Sequence, residues 1–234
     1  MSAQIPEPQP AHASPRLQID LWLDVACPWC VVGERRLHRV IDALPFGRDV
    51  DIRFRSYQLQ PDAPERATML QPEYLASRGM DMTRFRSAQQ QLVTMGAELG
   101  FAFNQDIAIP SNTFTAHRLI HAAAEPGAAP ELVPALFSVY FSEGRDIGDP
   151  EVLREVAVQA GVPAELADRV LANPDLYRQQ VLDDIERASE IGASGVPFAV
   201  LAGKYGLSGA QPESTIEEAL RTVHAELAAT HSGN

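Results

Sequence analysis

The chain has 234 residues, of which 45% are hydrophobic and 21% charged, and its formal net charge is −12. That composition suits a globular protein with a substantial core, built as one large domain or as a domain carrying an insertion. The negative balance argues against nucleic acid or an anionic membrane surface as partner, and no stretch approaches the ~20 apolar residues of a membrane span.

The first sixteen residues, MSAQIPEPQPAHASPR, hold four prolines and no hydrophobic run. They are expected to form a disordered polar leader (1–16) rather than an export signal, which makes the cytoplasm the default location. There, thiols are normally kept reduced, so paired cysteines point to catalysis, redox sensing or metal binding rather than to a structural disulfide.

Leu17, Ile19, Leu21 and Leu23 alternate with Gln18, Asp20, Trp22 and Asp24, a period-two strand ending at Val25-Ala26. A helix follows at once, with Pro28 in its first turn and Val31, Val32, Leu37, Val40, Ile41 and Leu44 as a buried stripe. Pro45 and Gly47 stop it. Val50, Ile52, Phe54 and Ser56 then alternate with Asp51, Arg53, Arg55 and Tyr57 as a second strand. Residues 17–59 therefore read as a βαβ unit with parallel strands.

From Gln60 the period turns helical, with helices expected near 72–78, 82–99, 113–124, 130–142, 150–160, 164–172 and 176–191. Asp81 and Asn112 serve as N-caps, Gly100 and Gly161 as stops, and Pro130, Pro150 and Pro163 stand near helix starts. Val196 to Leu201 is a short apolar strand, Gly203 allows a turn, and Tyr205 to Ser208 pairs back as a hairpin. A final helix spans about 213–229. The order βαβ, helical block, ββα predicts an α/β fold in which one sheet is interrupted by an insertion, because neither strand-bearing piece could bury a core alone.

The chain has two cysteines, and both lie in Cys27-Pro28-Trp29-Cys30 at the strand-to-helix junction. With no further thiol available, the pair serves each other or a passing substrate, and redox chemistry is the leading expectation. Unpaired N–H groups and the positive end of the macrodipole at a helix start favour thiolate, so Cys27 is expected to attack. Cys30 lies at i+3 on the same face, within reach of a disulfide, and is expected to be the more buried, resolving thiol.

These residues, with Gly195-Val196-Pro197-Phe198, Gly203-Lys204-Tyr205-Gly206 and Ser208-Gly209-Ala210-Gln211-Pro212 far downstream, resemble the DsbA-like thioredoxin fold. The likeness is closer to its FrnE-like branch of cytoplasmic dithiol–disulfide isomerases, whose helical insertion Asn112-Thr113-Phe114 and His117-Arg118-Leu119 also resemble. The resemblance implies a discontinuous thioredoxin-like domain (17–60 and 176–230) around an inserted helical domain (61–175). It also implies a cis Val196–Pro197 bond facing the cysteines, with Val196 and Pro197 touching substrate; Trp29, between the cysteines, is a packing or a substrate-contact aromatic. A proline there leaves a carbonyl but no donor, along which an extended peptide can add backbone bonds.

The expected function is thiol–disulfide oxidoreductase or isomerase on protein or peptide disulfides. It needs no cofactor beyond the redox-active pair, with a cytoplasmic thiol such as glutathione as reductant. With no histidine between the cysteines, the pair is expected to be less oxidising than periplasmic oxidants. Two alternatives stand beside this reading. One is a glutathione-dependent enzyme of the kappa glutathione transferase or hydroxychromene-carboxylate isomerase kind, which typically has serine at the helix start. The other is a non-enzymatic redox-sensing holdase. Asp24 could handle the Cys30 proton, although a solvated strand-end carboxylate is the blander expectation. His117 and His121, at i and i+4 on a helix, have metal-sharing spacing but no evident third ligand, so no metal site is expected.

Overall fold

The computed structural model describes residues 16–232, so all but the last residue of the expected leader lies outside the described part. The chain begins with β1 (Leu17–Leu23), α1 (Pro28–Ala43) and β2 (Val50–Ser56). Then come α2 (Gln71–Ser77), α3 (Met82–Glu98), α4 (Phe114–Ala124), α5 (Ala129–Phe141), α6 (Pro150–Gln159), α7 (Ala164–Ala172) and α8 (Arg178–Glu190). The hairpin β3 (Phe198–Leu201) and β4 (Tyr205–Ser208) and the helix α9 (Glu213–Ser232) complete it.

The four strands form one mixed sheet in the order β2-β1-β3-β4. β1 and β2 run parallel with Leu17 opposite Val50 and Leu23 opposite Ser56, while β3 lies antiparallel on β1 and β4 antiparallel on β3. This is the α/β thioredoxin fold that the sequence led us to expect. Helix α1 joins the parallel pair, and a single cluster of buried apolar side chains runs from β1 and α1 through α9 and into α4, α5, α6 and α7. Each fully buried Leu or Ile of β1 contributes roughly 1.5–3 kcal/mol relative to exposure.

Two expectations about strands need correction. The apolar run from Val196 enters the ladder only at Phe198, because Pro197 has no N–H to give. Trp22, assigned to the polar side of β1, is buried on the second face of the sheet with Ala188 and Ala193. Its indole N–H donates to the Asp184 carbonyl of α8 at 2.9 Å. The Asp184 carboxylate in turn accepts from the Ser56 N–H at 2.9 Å and from Arg55 at 3.2 Å, and stands 3.0 Å from His121 Nε2. Helix α8 is thereby fastened across β1 and β2, and both faces of that part of the sheet are covered.

Candidate active site

The active-site turn is built by Asp24. Its carbonyl accepts the Cys27 N–H at 3.0 Å and its carboxylate accepts the Ala26 N–H at 3.3 Å, which closes residues 24–27 tightly. The other carboxylate oxygen accepts the Leu59 N–H at 2.8 Å, tying the segment after β2 to the same point. Asp24 is 1% exposed, so the expectation of a solvated strand-end carboxylate is wrong. The reason is tertiary: α4 closes over it, and His117 Nε2 stands 3.5 Å from Asp24 Oδ1, the imidazole itself 1% exposed. That nitrogen has no hydrogen bond.

Cys27 is the N-cap of α1, in extended conformation, and Pro28 is its first helical residue. Both cysteines are free thiols, Cys27 3% exposed and Cys30 fully buried. Burial pushes the Cys30 thiol well above its ordinary value, the neighbouring Cys27 sulfur and the Asp24 charge push it the same way, and a hydrogen bond with the Asp24 backbone opposes them in part. Cys30 therefore holds its proton in the resting site. Trp29, between the two, is 39% exposed on the first turn.

The Val196–Pro197 peptide bond is cis, and the Cys27 thiol donates to the Val196 carbonyl at 3.5 Å. The structure thus brings Cys27, Cys30, Trp29, Val196 and Pro197 to one end of the sheet. The carbonyl expected to be free at Pro197 is taken, because it accepts the Gly209 N–H at 2.8 Å. Val196 is the residue of this loop that presents its carbonyl to the cysteine.

Three positions here were not picked out from the sequence. A Cβ on Gly33 would stand 2.7 Å from Pro197 Cγ, so only glycine lets the proline ring lie on α1. Arg36, one turn on, donates to the carbonyls of Ala210 and Gln211 at 2.9 and 3.3 Å, which ties the Ser208-Gly209-Ala210-Gln211 segment to the same helix. The third is Glu34, buried in α1, whose carboxyl is raised to about 7 by burial, partly offset by Arg35. Its spacing was a readable signal, since it lies four residues past Cys30 and three before Leu37, inside the apolar stripe.

The two histidines at metal-sharing spacing turn to different carboxylates, His117 to Asp24 and His121 to Asp184. Among the described residues there is no group of three or more His, Cys, Asp or Glu able to hold a metal ion. A small cavity of about 40 Å³ adjoins Asp24, walled by Gln71, Ser111, Thr113 and Tyr140, with room and polar partners for a water. No helix among the described residues is long and apolar enough to cross a membrane.

The DSBA-like thioredoxin domain model matches residues 18–221 of this chain. A probable DsbA oxidoreductase from Streptomyces coelicolor superposes with a TM-score of 0.84 at 35% identity, covering 90% of this chain and 91% of that one. The cytosolic disulfide reductase DsbM from Pseudomonas aeruginosa, solved with GSH, gives 0.59 at 20% identity, covering 87% and 99%. The uncharacterized protein YwbO of Bacillus subtilis is 24% identical over 208 residues, 87% of this chain and 96% of its own.

Proposed function

The chain belongs to the DSBA-like thioredoxin domain family of thiol–disulfide oxidoreductases, and from that premise we propose that it reduces or reshuffles disulfides of proteins or peptides through Cys27 and Cys30. The observation that carries this reading is the placement of the Cys27 sulfur at the start of α1, 3.5 Å from the Val196 carbonyl that precedes the cis proline.

Cys27 gives up its proton to water, and its thiolate attacks one sulfur of the substrate disulfide. A Cys27–substrate bond forms, the substrate S–S bond breaks, and the departing thiolate takes a proton from water. Cys30 then gives up its proton and attacks the Cys27 sulfur. The Cys27–Cys30 disulfide forms, and the second substrate thiolate leaves and is protonated. Two electrons have passed from the enzyme dithiol to the substrate. Asp24 is the buried base beside Cys30 that takes its proton, and the polar cavity adjoining Asp24 has room for a water to receive it next. Trp29, Val196 and Pro197 flank the substrate, whose extended backbone runs past the Val196 carbonyl.

Two equivalents of a small thiol return the site to the dithiol and leave as their own disulfide. Glutathione fits that role in a cytoplasmic setting, and the GSH-bound DsbM structure supports it at the level of fold. The second cysteine favours this cycle over a glutathione transferase or isomerase reaction, which would need one nucleophile only. Insulin reduction by the reduced protein tests the proposal. Turnover is expected for the native chain and is abolished in Cys27→Ser; undiminished turnover in that variant would overturn it.

A further inference from the structure

Four segments that are distant in sequence enclose a cavity of about 530 Å³, a volume in the range of small-ligand sites. Its walls come from the loop after β2, the first turns of α4, the start of α6 and the α7–α8 turn. Three arginines line it, Arg66, Arg118 and Arg178, against one acidic side chain, Glu65. That balance is the reverse of the whole chain, which carries 31 acidic and 19 basic side chains.

Arg118 is the unusual member. It is 3% exposed, yet among the described residues it forms no ion pair with a carboxylate. Its Nε donates to the Leu176 carbonyl at 2.8 Å and its Nη2 to the carbonyls of Val170 and Asn173. Those bonds fasten the turn that follows α7 and are a structural role for two of its three nitrogens. Nη1 has no hydrogen-bond partner among the described residues, and the side chain lines the cavity. Nη1 is not among the buried polar atoms cut off from solvent, so the one guanidinium nitrogen without a carbonyl partner is accessible where the side chain lines the cavity.

The start of α8 is only partly satisfied, by the Arg178 N–H donating to the Asp175 carbonyl at 3.1 Å. Its N-cap, Tyr177, is a non-glycine residue at φ 62°, no side chain caps it, and its first turn has no acid. Its first residue is instead a cation, Arg178, at the end of a helix whose dipole already favours an anion. Arg178 rests over the Phe114 ring at 5.3 Å rather than on a carboxylate. Arg66 is already paired with Asp149 at 3.2 Å, which leaves Arg118 and Arg178 against Glu65, and Asp175 acts on Arg118 only at longer range.

We propose that this cavity is a binding site for a small oxyanion ligand, a carboxylate or phosphate group held between Arg118 Nη1, the Arg178 guanidinium and the start of α8. The overall charge of −12 repels anions, so only such a local clustering could hold one. Guanidinium forks suit both oxyanions through paired N–H donors. The site is separate from the cysteines, and its occupancy does not depend on the redox proposal above.

The test titrates the full-length reduced protein with inorganic phosphate and, separately, succinate, at constant ionic strength in chloride, with binding followed by calorimetry and amide NMR shifts. Saturable one-to-one binding of at least one probe is expected, with shifts centred on residues 112–118 and 174–180. Tighter phosphate binding would assign a phosphate ester, and tighter succinate binding a carboxylate. Arg178→Gln, an exposed position that leaves the fold intact, is expected to weaken binding at least tenfold, while Arg53→Gln on β2 leaves it unchanged. Arg118→Met is expected to abolish binding, but it also loosens the α7–α8 turn, so Arg178→Gln is the decisive variant. Absence of saturable binding for both probes, or equal affinity in Arg178→Gln, would overturn the proposal.

Discussion

Asp24, at the end of β1, and His117, in α4, stand 3.5 Å apart with both side chains 1% exposed, so the helical block reaches directly into the cysteine site. Asp24 also holds the active-site turn and bears on the buried Cys30 thiol. A fixed negative charge there and the proton acceptor we propose have opposite kinetic signs.

The direction of the change in Asp24→Asn, whose amide keeps one of the two bonds to the Ala26 and Leu59 N–H groups, shows which of these kinetic effects dominates. Losing the negative charge alone would make the Cys30 thiolate easier to form and speed resolution of the mixed disulfide. Losing the base slows it, by an expected ten- to hundredfold or more at neutral pH. The expected outcome is slower resolution with unchanged attack by Cys27, followed by stopped-flow fluorescence of Trp29. Faster resolution would leave Asp24 as a charge and a turn-former only.

Glu34 makes stability depend on pH. Its folded carboxyl titrates at about 7, against an unfolded value of ~4.3. A carboxyl raised on folding binds its proton more tightly in the folded state. It therefore costs nothing below the unfolded pKa; the cost grows as pH rises from the unfolded value to the folded one and levels off at roughly 3–4 kcal/mol above pH 8. Glu34→Gln is expected to become more stable relative to the native chain by about that amount between pH 4 and 8. Urea unfolding at both ends of the range checks it, and an unchanged difference between the two proteins would count against it.

Gly33→Ala places a methyl carbon 2.7 Å from Pro197 Cγ. Alanine is intrinsically the better helix residue by ~1 kcal/mol, but the clash forces Pro197 or α1 to shift. The expected result is a net loss of about 1–2 kcal/mol and a larger fall in disulfide reduction than in stability. Denaturant midpoints measured beside insulin reduction separate the two effects.

Asp184→Ala removes the acceptor for the Ser56 N–H, Arg55 and His121 on the second face of the sheet. Buried donors left unpaired cost about 1–3 kcal/mol each in principle, and partial rehydration lowers the sum. A loss of about 2–4 kcal/mol is expected, with hydrogen exchange rising first in α8. An unchanged unfolding midpoint would show that Trp22 and its apolar neighbours hold α8 alone.

The element order and most helix boundaries were legible because they rest on local signals. These are period-two runs in β1 and β2, a 3.6-residue stripe in α1, and caps such as Asp81, whose carboxylate accepts the Thr83 N–H at 2.9 Å. Trp22 was misassigned because alternation tells which side chains share a face, not whether the other face is covered. Asn112 was legible as a cap in substance: its side chain accepts the Phe114 N–H at 2.9 Å, one residue ahead of the helix's formal cap.

By itself, the sequence determined that two cysteines stand at a strand-to-helix junction with only each other for partner, and that the surrounding pattern is α/β. Spacing along one chain segment suffices for that. Only the tertiary structure decided what the pair meets. The Val196 carbonyl at Cys27, the buried Asp24 closed over by His117, and Gly33 beneath Pro197 all join residues from distant segments. Burial and approach distance are properties of packed elements, and the shift of the Cys30 thiol follows from them rather than from the four-residue motif.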